Sequence, residues 1–199
     1  MQSPRRRVAA FTLIELMIGV ALIAVIVALA APSFREMILM QRLRGVNAQV
    51  VTDANFARSE AISRASYIQV RFQTSSGANA MSCYVIYARP NAAAAPLCDC
   101  TQPEGLRCTD PSTIEVRTVQ VMSSDSVFVQ VPSGDDIYTI DPRTGGLVLA
   151  GLDVPGGPGD NILVDAFIDT PRKFRNRIGQ TGRVSTCIPV SSTIGGIAC

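Results

Sequence analysis

Cysteine is the residue type with the most chemical potential in this chain. Cys98, Cys100 and Cys108 could offer three thiolates to a zinc ion, but C-x-C spacing without any histidine disfavours a metal site. An even number of cysteines beyond an export segment is instead typical of disulfides in an oxidising compartment. We therefore expect disulfides, no metal and no cofactor. The six cysteines are Cys83, Cys98, Cys100, Cys108, Cys187 and Cys199.

The last two cysteines are expected to pair with each other. Cys187 and Cys199 close a short loop around Pro189 and Gly195-Gly196, and a free cysteine at the C-terminus would be a liability outside the cytoplasm. For the other four cysteines the sequence does not choose among the possible pairings. Ring strain disfavours a bond between Cys98 and Cys100.

No catalytic constellation is visible. The absence of histidine removes the commonest general base and the Ser/Cys–His triads. Asp135, Asp136 and Asp141 fall in turns, where acids are usually solvated. The glycines of 156–159 lack the Lys-Ser/Thr pair of a phosphate loop. These observations predict a protein that is not an enzyme.

One basic cluster could bind a polyanion. Clustered arginines with an interleaved aromatic, here Phe174, can neutralise phosphates and stack on bases. A solvated strand face is the alternative. Without the N-terminal arginines 5–7, the chain carries 15 basic (18 − 3) and 16 acidic side chains, which disfavours general coating by nucleic acid. The candidate DNA-binding residues are Arg172, Lys173, Arg175, Arg177 and Arg183.

The N-terminal segment predicts a membrane helix that carries one acid. The 21 residues from Phe11 to Ala31 rise about 30 Å as a helix, enough to cross a bilayer. Arginines before the span place the N-terminus in the cytoplasm and the rest of the chain outside. A lone carboxylate in the span, Glu15, costs several kcal/mol unless it is paired, so it indicates a function. Cleavage between Ala10 and Phe11 would place a new amine one helical turn from Glu15.

The run Phe11-Thr12-Leu13-Ile14-Glu15-Leu16 resembles the class III signal of type IV pilins and type II secretion pseudopilins. The resemblance implies that a prepilin peptidase cleaves before Phe11 and methylates its amine, and that Glu15 aids subunit assembly. Ala10 stands where the family nearly always has glycine.

Beyond the span, the sequence predicts a second half-helix and a β-rich head. Pro32 is expected to interrupt the helix, which then resumes with an apolar stripe that packs on a sheet. Arg42, Arg44, Asn47, Asp53 and Arg58 are expected mostly off that stripe. The stripe residues are Leu43, Val46, Val50, Ala54, Ala57 and Ala61. Strands are expected at Ile68–Gln73, Cys83–Ala88, Ile114–Met122, Val127–Val131, Ile137–Ile140, Leu147–Leu149, Asn161–Ile168 and Gly182–Cys187.

Three further segments resemble the GspH/FimT class of minor pilins and pseudopilins: 57–64, 84–87 and 140–145. DNA-uptake members of this class have a C-terminal Gly-Arg-x-Arg motif. Gly182 and Arg183 match the motif, whereas Ser185 replaces its second arginine.

Together these features predict an α+β fold: a long N-terminal membrane-spanning helix whose C-terminal half packs on an antiparallel head of two small sheets. The expected parts are a cleaved leader (1–10), a transmembrane half-helix (11–31), an amphipathic half-helix (32–66) and a disulfide-containing head (67–199). The expected function is that of a minor type IV pilin in a tip or priming complex. A type II secretion pseudopilin, a DNA receptor for transformation and an unrelated membrane-anchored enzyme are the alternatives. Expected partners are prepilin peptidase, other pilins, the bacterial inner membrane and DNA, with the head in the periplasm before assembly.

Overall fold

The computed structural model describes residues 12–77, 80–92, 97–132, 137–148 and 161–199, with the backbone alone at positions 31 and 32. The chain divides into two compact units, Met1–Met40 and Gln41–Cys199. Several residues singled out from the sequence lie outside the described residues: Ala10, Phe11, Asp135, Asp136 and the glycines of 156–159.

Helix α1, Leu13–Arg64, contains 52 residues. Its first turn is capped by Thr12, whose hydroxyl accepts a hydrogen bond from the Glu15 backbone N–H at 3.3 Å. It ends where Ala65 takes a left-handed φ of 49°. The helix was predicted to be interrupted at Pro32, but α1 continues through this position. An interior proline removes one backbone hydrogen bond without ending the helix here.

In the part of the chain that the structure describes, eight strands form two four-stranded antiparallel sheets. The first sheet has the order β3-β2-β1-β5, and the second has the order β4-β6-β7-β8. A short 3-10 helix, Ser123–Asp125, precedes β4. The strands are β1 Tyr67–Ser75, β2 Met81–Arg89, β3 Ile114–Met122, β4 Phe128–Gln130, β5 Ile137–Ile140, β6 Ile162–Asp169, β7 Arg172–Ile178 and β8 Val184–Cys187.

The C-terminal part of α1 packs on the sheets through small side chains. Leu43, Val50, Ala54, Ala57 and Ala61 are all buried, as the apolar spacing predicts. Alanines let the strands approach the helix closely. The residual cavity between helix and sheets measures only about 10 Å³. The predicted α+β fold is therefore confirmed.

Two disulfides hold a loop over the face of the first sheet that lies opposite the helix. Cys83 of β2 bonds to Cys100, and Cys98 bonds to Cys108. The loop is also tied to the sheet by hydrogen bonds, for example from the Cys100 N–H to the Gln73 side chain at 2.9 Å. A third disulfide joins Cys187 to Cys199.

Most predicted strands match observed ones, with two differences. β7 was not among the predicted strands, although a strand was the alternative reading of its basic cluster. In the predicted strand Leu147–Leu149, Leu147 forms a single bridge to Ile140, and position 149 lies outside the described residues.

Candidate functional site

The start of α1 presents Glu15 among exposed apolar side chains. Leu13, Ile14 and Leu16 are 77%, 63% and 65% exposed. Glu15 and Thr12 are spaced as in a capping box, and the Thr12 half of that box is formed. The helix therefore begins two residues after Phe11, the expected first residue after cleavage, and Thr12 supplies the observed cap.

The apolar surface of α1 continues well past the expected span. Phe34, Met37 and Ile38 are each more than half exposed. By length and composition, α1 is the one helix among the described residues that could cross a membrane. Cleaved secretory signals share this N-terminal position and apolar composition.

Asp53 anchors α1 to the first sheet. Its carboxylate is 2% exposed and accepts a hydrogen bond from the Tyr84 hydroxyl at 2.7 Å. It also pairs with Arg117 of β3, whose guanidinium lies 4.5 Å from the centre of the Phe56 ring. Burial, followed by the hydrogen bond to Asp53, raises the pKa of Tyr84 far above its ordinary value. The site is a structural pair whose charges are mutually satisfied.

Asn47 forms the matching anchor to the second sheet. Its side-chain oxygen accepts a hydrogen bond from the Asn176 amide at 2.8 Å. The Asn176 oxygen in turn accepts from the Thr186 hydroxyl at 2.7 Å. Asn47 and Asp53 were expected mostly off the buried stripe, and that expectation is wrong. Their spacing from Leu43 and Val50 places both on the buried face.

Acids on β6 neutralise two of the five candidate DNA-binding cations. Arg175 forms two hydrogen bonds of 2.7 Å to Asp165, which lies opposite it in the sheet. Arg172 donates from Nε to Asp169 at 2.9 Å. The Asp165 pair raises the pKa of Arg175, and the Arg172 pair lowers the pKa of Asp169. No acid lies within the sequence 172–178, but Asp165 and Asp169 of the neighbouring strand β6 contact two of its arginines. The expected basic cluster is therefore partly neutralised.

The other three cations lie on β7 and in the turn that follows it. Lys173 and Arg177 lie on the face of β7 that also carries Arg175 and points away from the buried Asn176. Arg183 lies in the turn between β7 and β8, after Gly182. Among the described residues, none of these three cations has an ion-pair partner. The structure thus places three unpaired cations on β7 and its turn.

The cysteines are all accounted for by disulfides. Within the described ranges, no group of three or more His, Cys, Asp or Glu side chains could hold a metal ion. The thiolate set that the sequence suggested is therefore not present as thiolates.

Comparison with known proteins bears on the N-terminal segment. Residues 5–31 match the family model described as "Prokaryotic N-terminal methylation motif". No curated protein matches the chain. Among solved structures, the chain is similar to the type IV minor pilin FimU of Pseudomonas aeruginosa strain PAO1. The two sequences are 14% identical, and the TM-score is 0.46. The match covers 73% of this chain and 87% of the FimU chain.

The chain therefore carries the N-terminal methylation motif of prokaryotic prepilins. This motif implies processing by prepilin peptidase and assembly with other pilins. The motif includes the first apolar turns of α1, which begins at Leu13, and such a helix fits membrane anchoring before assembly.

Proposed function

We propose that this chain is a minor type IV pilin, a non-enzymatic structural subunit of a tip or priming complex. The observation that carries the proposal is the methylation motif at residues 5–31, which contains Glu15 and the exposed apolar start of α1. Cleavage after Ala10 removes the arginine leader and leaves Phe11 as a methylated N-terminus.

Glu15 is proposed to act as the assembly contact. A carboxylate within a bilayer costs roughly 2.5–3.5 kcal/mol on insertion scales. The amine of Phe11 on a neighbouring subunit can offset that cost by forming an ion pair inside the filament. The energy released on pairing then favours transfer of the helix from lipid into the assembly.

The exposed apolar side chains of α1 are proposed to form the packing surface for neighbouring subunits. Phe34, Met37 and Ile38 extend this apolar surface beyond the expected span. Before assembly the chain is anchored in the inner membrane with its disulfide-bonded part in the periplasm, the compartment in which such bonds form. An assembly of the type II secretion class would use the same helix chemistry.

The test compares Glu15→Ala with Glu36→Ala, a matched acid on the same helix outside the expected span. Glu15→Ala should insert in the membrane at least as well as the unmodified chain but be lost from sheared pilus fractions. Glu36→Ala should be incorporated normally. Equal incorporation of Glu15→Ala would contradict the proposed contact.

A second experiment, deletion of the chain, distinguishes the two kinds of assembly. Deletion of the chain should reduce the number of surface pili without blocking protein secretion. A secretion defect with normal piliation would instead assign the chain to a type II secretion pseudopilus.

A further inference from the structure

Two glycine-containing turns interlock beside the C-terminal part of α1. The Leu147 N–H donates to the Gln180 carbonyl at 2.9 Å and so joins the turn after β5 to the turn between β7 and β8. An added Cβ at Gly182 would overlap the carbonyl oxygen of Gly145. Gly182 also has a φ of 72°, a conformation that favours glycine. The two turns therefore form a fixed wall.

Arg58 of α1 lies along this wall. A Cβ added at Gly145 would stand 3.0 Å from the Arg58 Nε, and one added at Gly182 would stand 3.2 Å from its Cδ. The Nε is buried and has no hydrogen-bond acceptor among the described residues. A buried N–H without an acceptor is costly, and it leaves the Arg58 charge unsatisfied on the side that faces the wall. Other atoms of Arg58 line an open cleft, where a ligand with acceptor oxygens could contact the guanidinium.

Arg58 and Arg183 line one open cleft of about 820 Å³. Among the described residues, neither arginine has an ion-pair partner. Among the described residues that line the cleft, Asp141 is the single acid, and its Oδ1 already accepts the Arg143 N–H at 2.7 Å. Two arginines and one aspartate give this described lining a net charge of +1. The rest of the lining is made of Thr144, Gly146, Leu147, Val148, Gln180 and Thr181.

We propose that the Arg58–Arg183 cleft is a binding site for a single carboxylate carried on a small apolar body. Guanidinium groups bind carboxylates through paired, charge-assisted hydrogen bonds. The net charge of +1 on the described lining matches a monoanion, and Leu147 and Val148 supply apolar contact surface. The site is independent of the proposed pilin function, since it uses no residue of the N-terminal motif.

The test uses the full chain in detergent micelles, labelled with ¹⁵N at glycine and arginine, and titrated with 3-methylbutanoate. Saturable shifts are expected at the Gly146 and Gly182 amides with a millimolar dissociation constant. The uncharged isostere 3-methylbutanamide should give no saturable shift. Arg183→Gln, which alters an exposed side chain, should weaken binding about tenfold or more, because it removes a charge-assisted contact. Arg177→Gln is the matched control and should leave the affinity within about twofold.

Arg58→Gln is the second variant and should also abolish saturation if its glycine and arginine spectrum remains that of a folded chain. Three results would overturn the proposal: an equal response to the amide, an unchanged affinity in Arg183→Gln, or no saturable shift with 3-methylbutanoate. Shifts at the same glycines with duplex DNA and none with the carboxylate would assign the cleft to phosphodiesters and would equally overturn the carboxylate assignment.

Discussion

The ion pair between Asp53 and Arg117 is asymmetric in exposure, and this predicts which of two substitutions costs more. The Asp53 side chain is 2% exposed, whereas that of Arg117 is 43% exposed. Arg117→Met strands the carboxylate in the interior beside Tyr84, and loss of one partner from a buried pair costs roughly 3–5 kcal/mol. Asp53→Asn leaves a cation that can turn to water, and the amide oxygen still accepts from Tyr84. We expect Asp53→Asn to cost roughly 1–3 kcal/mol.

The assay is urea unfolding of the full chain in micelles with the disulfides intact. The chain has no tryptophan, so tyrosine near-ultraviolet circular dichroism reports tertiary structure. Arg42→Met is the control, because Arg42 and Asp125 are 3.7 Å apart and about half exposed. Its expected cost is below about 0.5 kcal/mol. The reasoning is refuted if Asp53→Asn lowers the free energy of unfolding as much as Arg117→Met does.

Four further outcomes are expected. Burial raises the pKa of both Tyr84 and Tyr138. The native state therefore keeps protons that the unfolded chain loses above about pH 10, so the free energy of unfolding should fall as pH rises above that value. Tyr138→Phe should reduce that alkaline slope by about 1.4 kcal/mol per pH unit, and an unchanged slope in urea titrations would show that Tyr138 titrates normally. Gly182→Ala should lower the free energy of unfolding by roughly 2 kcal/mol or more, whereas Gly195→Ala, with no atom within 4 Å of the added Cβ, should be near neutral. The double variant Cys187→Ala/Cys199→Ala should lose about 3 kcal/mol, the chain-entropy value for a separation of 12 residues, and an unchanged urea midpoint would contradict this. Duplex DNA should bind weakly, with a log–log salt slope near about −2.7 for the three unpaired cations, and Arg177→Glu should weaken it while Arg35→Glu should not; an absence of binding at low salt would leave the structural role alone.

The helix and most strands could be predicted because their apolar periodicity reflects direct burial. The alanine stripe of α1 is one example, since small residues at helical spacing predicted the close contact with the strands that the buried Ala57 and Ala61 make. Strands Ile114–Met122 and Ile137–Ile140 were predicted to the residue. Local pattern and tertiary packing agree in these elements.

The pairing of charges could not be predicted, because it depends on strand register. Arg175 and Asp165 are ten residues apart in sequence, and only the antiparallel pairing of β6 with β7 brings them face to face. The sequence around Arg175 therefore predicted a basic cluster without nearby acids. A one-residue change of register would have moved these side chains to opposite faces.

The burial of the two polar anchors, Asn47 and Asp53, is visible in their helical spacing. Asn47 lies four residues after Leu43, and Asp53 lies three residues after Val50, which are the spacings of one helical face. Polarity alone suggested exposure, but the partners Asn176 and Tyr84 come from distant strands. Buried polar groups are satisfied by such partners, which a single sequence does not reveal.

The mature N-terminus provides the most direct test of the pilin account. The full chain would be produced in a membrane containing prepilin peptidase, purified in detergent, and measured by intact-mass and N-terminal peptide mass spectrometry. The account predicts a chain that begins at Phe11 with a methylated amine. An unprocessed chain beginning at Met1, or a chain cleaved downstream of Ala31, would contradict it.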